Sequence, residues 1–482
     1  MGQAGAVGEA VRPVTLPRAS RPRSSWRLDA VRVSLVILVL VDVSRIHQHY
    51  RFLAVFRPMQ LMAAGALIYA YLNPKLLVDL RIWSKLWPAR VVAALGVVAC
   101  FSVLFGISLG SSARFFVEEY VKVLVMAFLL MSAIRNSRDL ALLVWAYVAA
   151  CGVLVWMALF VFGLQKGGNA GDIYHLGGLY LYDGNDVCVV LLAGLGFCLF
   201  TYQTSGRFGK VASAVIMLGI GDVIARTGSR GGFLGLVAFG AAFLLMPSKT
   251  SLVKRVVMIG AVALGLQFGS PEGYWTRILT VLHPKEDYNW SSPTGRRMAA
   301  KRGLEYMRQY PVFGIGLMNF PRAEGTISER AKTHRSTDPG IRWMVPHNSY
   351  IQAGAEMGYP GGILWTSILV CGAASCWRLR RRLRARWARG DREQRLLYSF
   401  TQAMPLSIIG FGVSAFFVSF AYLSPIYILA AYVTGMHVAV RERQNRDSAT
   451  AQATIRQGVT LPAQGPSALA MVRPARQGRV RW

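Results

Sequence analysis

A few residues stand out as able to do chemistry: Arg226 and Arg230 in the run ARTGSRGG, Arg296 and Arg297 in GRRMAAKRG, and His347 in PHNSYIQAGAEMGYPGG. A guanidinium fork matches the oxygens of a phosphate, and a helix N-terminus presents free N–H groups to the same anion. The glycines and Ser229 around Arg230 open such a terminus, because the apolar run that follows begins with Phe233. A bound diphosphate is the specific expectation, with Arg226, Ser229, Arg230, Arg296 and Arg297 as its ligands. The plainer alternative is that these arginines, and Arg51 with them, snorkel to lipid head groups or pair with nearby carboxylates. His347 follows Pro346 and precedes Asn348, a setting in which an imidazole can take a proton near neutral pH. Its plainer alternative is a structural histidine at a helix start. His175, His283 and His334 have no comparable setting and read as solvated loop residues.

What positions these residues is a series of apolar runs. Of 482 residues, 54% are hydrophobic, and the mean hydropathy is +0.37. Runs such as 91–109, 140–164 and 233–246 carry almost no charge. Irregular backbone cannot face lipid, so runs of this kind must be helices that satisfy their own hydrogen bonds. The expected fold is therefore all-α and polytopic, with about twelve transmembrane helices. Spans are expected near 30–44, 52–72, 91–109, 115–134, 140–164, 187–202, 211–225, 231–246, 255–270, 347–376, 398–419 and 422–440. A large hydrophilic loop, 271–346, separates an N-terminal bundle at 29–270 from C-terminal helices at 347–440. Within that loop a short amphipathic helix is expected, capped by Thr294 and ended by Pro311. The basic segments 1–28 and 441–482 read as disordered tails.

The net charge of +31 invites a nucleic-acid reading, which the distribution of charge excludes. Lys and Arg collect in short connectors and in the tails: Lys75, Arg81, Lys85 and Arg90; Arg135 and Arg138; Arg207 and Lys210; Lys254 and Arg255; and the stretch 378–395. An alternating count of spans puts nearly all of them on one side, which the positive-inside rule makes cytoplasmic together with both termini. Arg226, Arg230 and the long loop then fall on the opposite, periplasmic side. Arg230 is thus a cation on the wrong face, and a compensating anion explains it. All six cysteines (Cys100, Cys151, Cys188, Cys198, Cys371 and Cys376) lie in apolar runs with no metal-ligand spacing.

Four stretches, in this order, make the chain resemble the O-antigen ligase and polymerase superfamily of bacterial membrane glycosyltransferases: YLYDGNDVC, TGSRGGFLGLVAF, GRRMAAKRGLEYMRQYPVFGIGLMNF and PHNSYIQAGAEMGYPGG. The resemblance spans residues 30–440 in layout and is motif-specific from about 180 to 365. It implies a glycan donor carried on polyprenyl diphosphate in the bacterial inner membrane, and an acceptor hydroxyl on lipid, glycan or protein. It implies that Arg230 and Arg296 hold the diphosphate, that His347 activates the acceptor, and that Asn185 and Asn348 support the site. It implies transfer without metal or other cofactor, and no motif of metal-binding carboxylates is present. One departure is Ala300, where the family often has an aromatic residue, which leaves the choice between Arg296 and Arg297 open. Ligase-type transfer in lipopolysaccharide biosynthesis is the favoured reading, with polysaccharide polymerisation and protein O-glycosylation as alternatives. Two rivals lie outside this chemistry: a small-anion transporter and a non-catalytic assembly subunit. Glu118, Glu119, Lys122 and Asp222 are the nearest to midspan charges that a transporter would use, and they are equally able to pair with neighbours.

Overall fold

A lipid environment leaves an apolar run one way to satisfy its backbone, and every run marked above contains helix in the structure. The structure is a computed structural model and describes residues 29–74, 86–166, 174–177, 182–247, 250–283, 292, 295–329, 331 and 344–456. In chain order the helices begin with α1 (Ala30–Ser44), α2 (Ile46–His49), α3 (Arg51–Val55), α4 (Pro58–Leu72) and α5 (Trp87–Phe105). Then α6 (Leu109–Phe115) passes through a wide turn at Phe116–Tyr120 into α7 (Val121–Ala133), and α8 (Ser137–Phe160) follows. A short antiparallel ribbon, β1 (Leu164–Lys166) with β2 (Tyr174–Leu176), departs from the all-helical expectation. After it come α9 (Gly184–Thr204), α10 (Arg207–Arg226), α11 (Arg230–Leu245) and α12 (Leu252–Gly269). The expected loop holds α13 (Tyr274–Leu279), α14 (Arg296–Gln309) and α15 (Phe320–Thr326). The chain closes with α16 (Ser349–Trp387), α17 (Arg392–Ser414) and α18 (Ser424–Arg456).

Among the described residues, eight helices are long and apolar enough to cross a membrane, and the shorter apolar α11 runs beside them. The fold is thus all-α apart from the ribbon and is built to cross the bilayer several times. Burial sorts the spans. The most apolar stretch of α9 is 83% buried within the protein and that of α17, with the turn after it, 72%; α12 and the stretch Phe52–Tyr69 are buried by only 11% and 6%. The first two form the spine, while the others face lipid. Small residues let the spine helices touch: a side chain at Gly196 would strike Ser407 and the Ala403 carbonyl.

Boundaries follow capping chemistry. Asn136 starts α8 by accepting from the amides of Arg138 and Asp139, while Asp183 and Asp186 form a capping box on α9. Three expectations are corrected. The loop helix α14 is capped at Gly295 with no side-chain bond; Thr294 lies outside the described residues. The span expected to run to 419 ends at Ser414, because a tight turn at Ala415–Phe417 and the extended Val418 interrupt it. The segment 441–456, expected to be disordered, continues α18, since Arg443 and Arg446 pair with Asp391, Glu393, Glu442 and Asp447. Residues 1–28 and 457–482 lie outside the described residues.

Arg32 pairs with Asp139 at the start of α8, Ser137 bonds Glu393 at the start of α17, and Arg380 reaches the Pro247 carbonyl after α11. Among the described residues, Arg32, the starts of α8 and α17, Arg380 and the end of α11 thus gather at one end of the bundle. Arg230, the start of α9 and the start of α16 occupy the other.

Candidate functional site

The first two sequence motifs meet where α9 and α11 begin. Ser229, buried, accepts the Gly232 amide at 3.0 Å as N-cap of α11 and donates to Asn185 Oδ1 at 2.7 Å. Cys188 Sγ and Thr227 Oγ1 lie 3.1 Å apart, and Gly184 leaves room for Thr227 to pack on the head of α9. Arg230 is the first residue of α11, and its Nη1 donates to Thr280 Oγ1 at 2.9 Å.

The third and fourth motifs meet beside them. Arg296 opens α14 and its Nη1 donates to the Phe417 carbonyl at 3.4 Å, whereas Arg297 is exposed. That difference selects Arg296 as the residue turned inward. His347 donates its amide to Ser419 Oγ at 2.9 Å and has φ of +47°, a left-handed backbone that a non-glycine residue rarely holds. Asn348 is the N-cap of α16, accepting from the Tyr350 and Ile351 amides, so its part is to fix where His347 stands.

One segment joins the two pairs of motifs, and sequence reasoning missed it. The Phe417 side chain lies against Gly231, next to Arg230, while its carbonyl takes the Arg296 bond. Ser414 Oγ donates to the Gly231 carbonyl, Ser349 Oγ to the Val418 carbonyl, and the Phe420 amide to Ser349 Oγ. Residues 414–420 therefore touch Gly231, the neighbour of Arg230, the guanidinium of Arg296 and the backbone amide of His347. The run AFFVSF gives no sign of this, because it reads as the end of a span and works through its backbone.

Electrostatics agree with the grouping. Burial pushes His347 down to about 4, the Arg296 guanidinium pushes the same way, and Asp183 opposes them. The imidazole is neutral at physiological pH and free to accept a proton. Asp186 stands within electrostatic reach of both Arg296 and Arg45, so acidic groups at the head of α9 lie between two cations. Arg45 lies over the Tyr182 ring at 5.4 Å and 3.5 Å from Asp42; Tyr182, pushed up to about 12 by burial against the pull of Arg45, stacks on Phe420. Arg45 and Tyr182 were also missed, being far apart in the chain.

Arg226 ends α10 and pairs with Asp222 at 3.0 Å, one turn back, the local carboxylate pairing that was the alternative to a ligand role. The Asp222 suspected of transport is thereby accounted for, and Lys122 pairs with Glu119 at 3.6 Å. Arg51 opens α3, but its side chain is outside the described residues, as is that of His175 and the whole of His334. One turn below Arg230, Phe233 is part of the wall of an apolar cavity of about 510 Å³ between α9, α10, α11 and α12. Among the described residues, no group of three or more His, Cys, Asp or Glu side chains is arranged to hold a metal ion.

Residues 212–366 of the 482 match the O-Antigen ligase family. The matched stretch contains Arg226, Ser229, Arg230, Arg296, Arg297, His347 and Asn348, and Asn185 precedes it. This supports the O-antigen ligase and polymerase superfamily resemblance that the four motifs carry. No curated protein matches the chain.

Proposed function

We propose that this chain is a glycosyltransferase of the O-antigen ligase type, moving a glycan from polyprenyl diphosphate to an acceptor hydroxyl at the periplasmic face of the bacterial inner membrane. The observation that carries this reading is the gathering of Arg230, Arg296 and His347 around residues 414–420, with an apolar cavity below them. The acceptor oxygen attacks the anomeric carbon, the bond from that carbon to the diphosphate oxygen breaks, and the acceptor proton passes to His347. Negative charge builds on the departing diphosphate, so cations fixed around it stabilise the transition state more than the bound donor. Each charge-assisted hydrogen bond contributes about 1.5–3 kcal/mol. The arriving diphosphate also raises the basicity of His347, since an anion beside an imidazole favours the protonated form. The cavity between α9 and α12 suits the polyprenyl chain, its lining being apolar side chains such as Leu195, Met217, Phe233 and Leu266. The basic end of the bundle, with both termini, then faces the cytoplasm. The energy for transfer resides in the glycosyl diphosphate bond, and the residues described act without metal or nucleotide.

Purified protein in vesicles, given a polyprenyl-diphosphate-linked glycan and candidate acceptors, tests the proposal. Arg230→Ala and His347→Ala are each expected to lower transfer by about 100-fold or more with expression intact; full activity in either discards its assigned role. The acceptor that becomes glycosylated separates the alternatives: lipid A core for a ligase, the glycan itself for a polymerase, a protein hydroxyl for an O-glycosyltransferase. Uptake of radiolabelled anions without any transfer would instead make the chain a transporter.

A further inference from the structure

The loop that bears Arg296 is fastened to α16 at a place far from Arg296 itself. Glu356, only 1% exposed, accepts the Met318 amide on Oε2 at 3.0 Å and the Phe320 amide on Oε1 at 3.1 Å. Its carbonyl accepts Ser102 Oγ at 2.6 Å and the Gly316 amide at 3.1 Å; next to it, the Ala355 carbonyl accepts the Ile315 amide at 2.9 Å. Residues 314–320 wrap this carboxylate by adopting left-handed backbone: Gly314 at φ +71°, Gly316 at +96° and Met318 at +54°. A side chain at Gly314 would collide with the Glu356 backbone, so only glycine permits the approach. Within the loop α14 and α15 are in turn tied together by Glu324, fully buried, which takes Arg302 Nε at 2.6 Å and the Tyr306 hydroxyl at 2.7 Å. Between the ends, α14 lies along the first turns of α16, with Gly303 on Ile351 and Gly354 on Met307.

This arrangement is a lever: Arg296 at one end of α14, the Glu356 clasp beyond the other, and His347 at the head of the helix they share. We infer that Glu356 is a positioning residue, whose grip on the Met318 and Phe320 amides holds α14 against α16 and so fixes Arg296 relative to His347. The inference rests on the proposed transfer reaction. Glutamine at 356 offers one carboxamide oxygen to two amides and turns an NH2 toward the other, which loosens the clasp with little change in volume.

In the vesicle assay, Glu356→Gln is expected to lower kcat by about 10- to 100-fold, the size a displacement of about 1 Å produces, with donor KM changed little. Glu356→Asp, which keeps the charge, should recover part of that loss. Hydrogen exchange should show faster exchange at residues 314–320. Glu324→Gln loosens the same lever without touching α16 and is expected to reproduce the kcat-selective loss; it serves as the test if Glu356→Gln fails to fold. Wild-type kcat per folded molecule in the variant that folds overturns the inference. Full activity in both Arg230→Ala and His347→Ala, measured alongside, would sink the transfer reading itself and is thus a separate outcome.

Discussion

The two ends of α11 use arginine in opposite ways. At its C-terminal end Arg255 donates to the carbonyls of Phe243, Leu244 and Met246, and Arg380 reaches the Pro247 carbonyl. These cations sit where unsatisfied carbonyls and the negative pole of the helix want them. At the N-terminal end Arg230 is the first helical residue, at the positive pole; Arg296 holds the same position on α14. A cation there costs about 0.3–1 kcal/mol through the helix dipole, while an anion is welcomed by both the dipole and the guanidinium. At the basic end Arg443 is ringed by Asp391, Glu393 and Asp447. The placement of Arg230 and Arg296 against the helix field is what the proposed donor diphosphate would account for.

The comparison breaks most visibly at Arg230. Replacing it with Ala should lower transfer by about 100- to 1000-fold, the cost of one lost transition-state donor, and leave thermal unfolding in detergent unchanged or slightly raised. A variant that loses stability in proportion to activity would make Arg230 a structural residue like Arg255. Next in size is the response to acid. With His347 of the free protein held near 4, kcat/KM should be level from about pH 5 upward and fall about tenfold per unit below 4, while the limb in kcat should lie at higher pH. The sign for stability is the same: a histidine whose folded value lies below its ordinary 6.5 binds fewer protons in the native state, so stability declines as pH drops from 6.5 toward 4. Removing the Arg296 charge by Arg296→Gln should move that limb upward, which NMR titration of His347 would register.

At the basic end, Arg443→Ala should reverse the Arg230 pattern. Its ion pairs are partly exposed, so the expected loss is about 1 kcal/mol of stability, seen as a lower melting temperature, with activity per folded molecule within about twofold. The smallest effects are expected at Arg226 and Arg297. Arg226→Ala breaks one partly exposed pair worth about 0.5 kcal/mol, and Arg297→Ala removes a side chain on the exposed face of α14, so each should change transfer by less than about threefold. A large loss at Arg297 would put it, rather than Arg296, at the diphosphate.

The helical layout was legible because apolar run length is a property of the sequence that lipid enforces: 30–44 was expected and Ala30–Ser44 is found. Arg230 and His347 were legible for a related reason, since glycine, serine and proline mark where helices start. What escaped is chemistry carried by the backbone or by distant pairs. The Phe417 carbonyl has no signature in AFFVSF, and Arg45 meets Tyr182 across 137 positions. Arg226 is a different case: its partner Asp222 was visible four residues earlier, and pairing with a nearby carboxylate was one of the two readings the sequence offered. The helix past 440 was hidden because its charges are matched by residues of α17.

The cavity beneath Arg230 has one wall, α12, that packs on α10 and turns its other face outward. On the proposed transfer reaction, a long isoprenoid tail would have only this one helix between it and the surrounding oil, its carbon chain never crossing water while its charged head stayed at the rim.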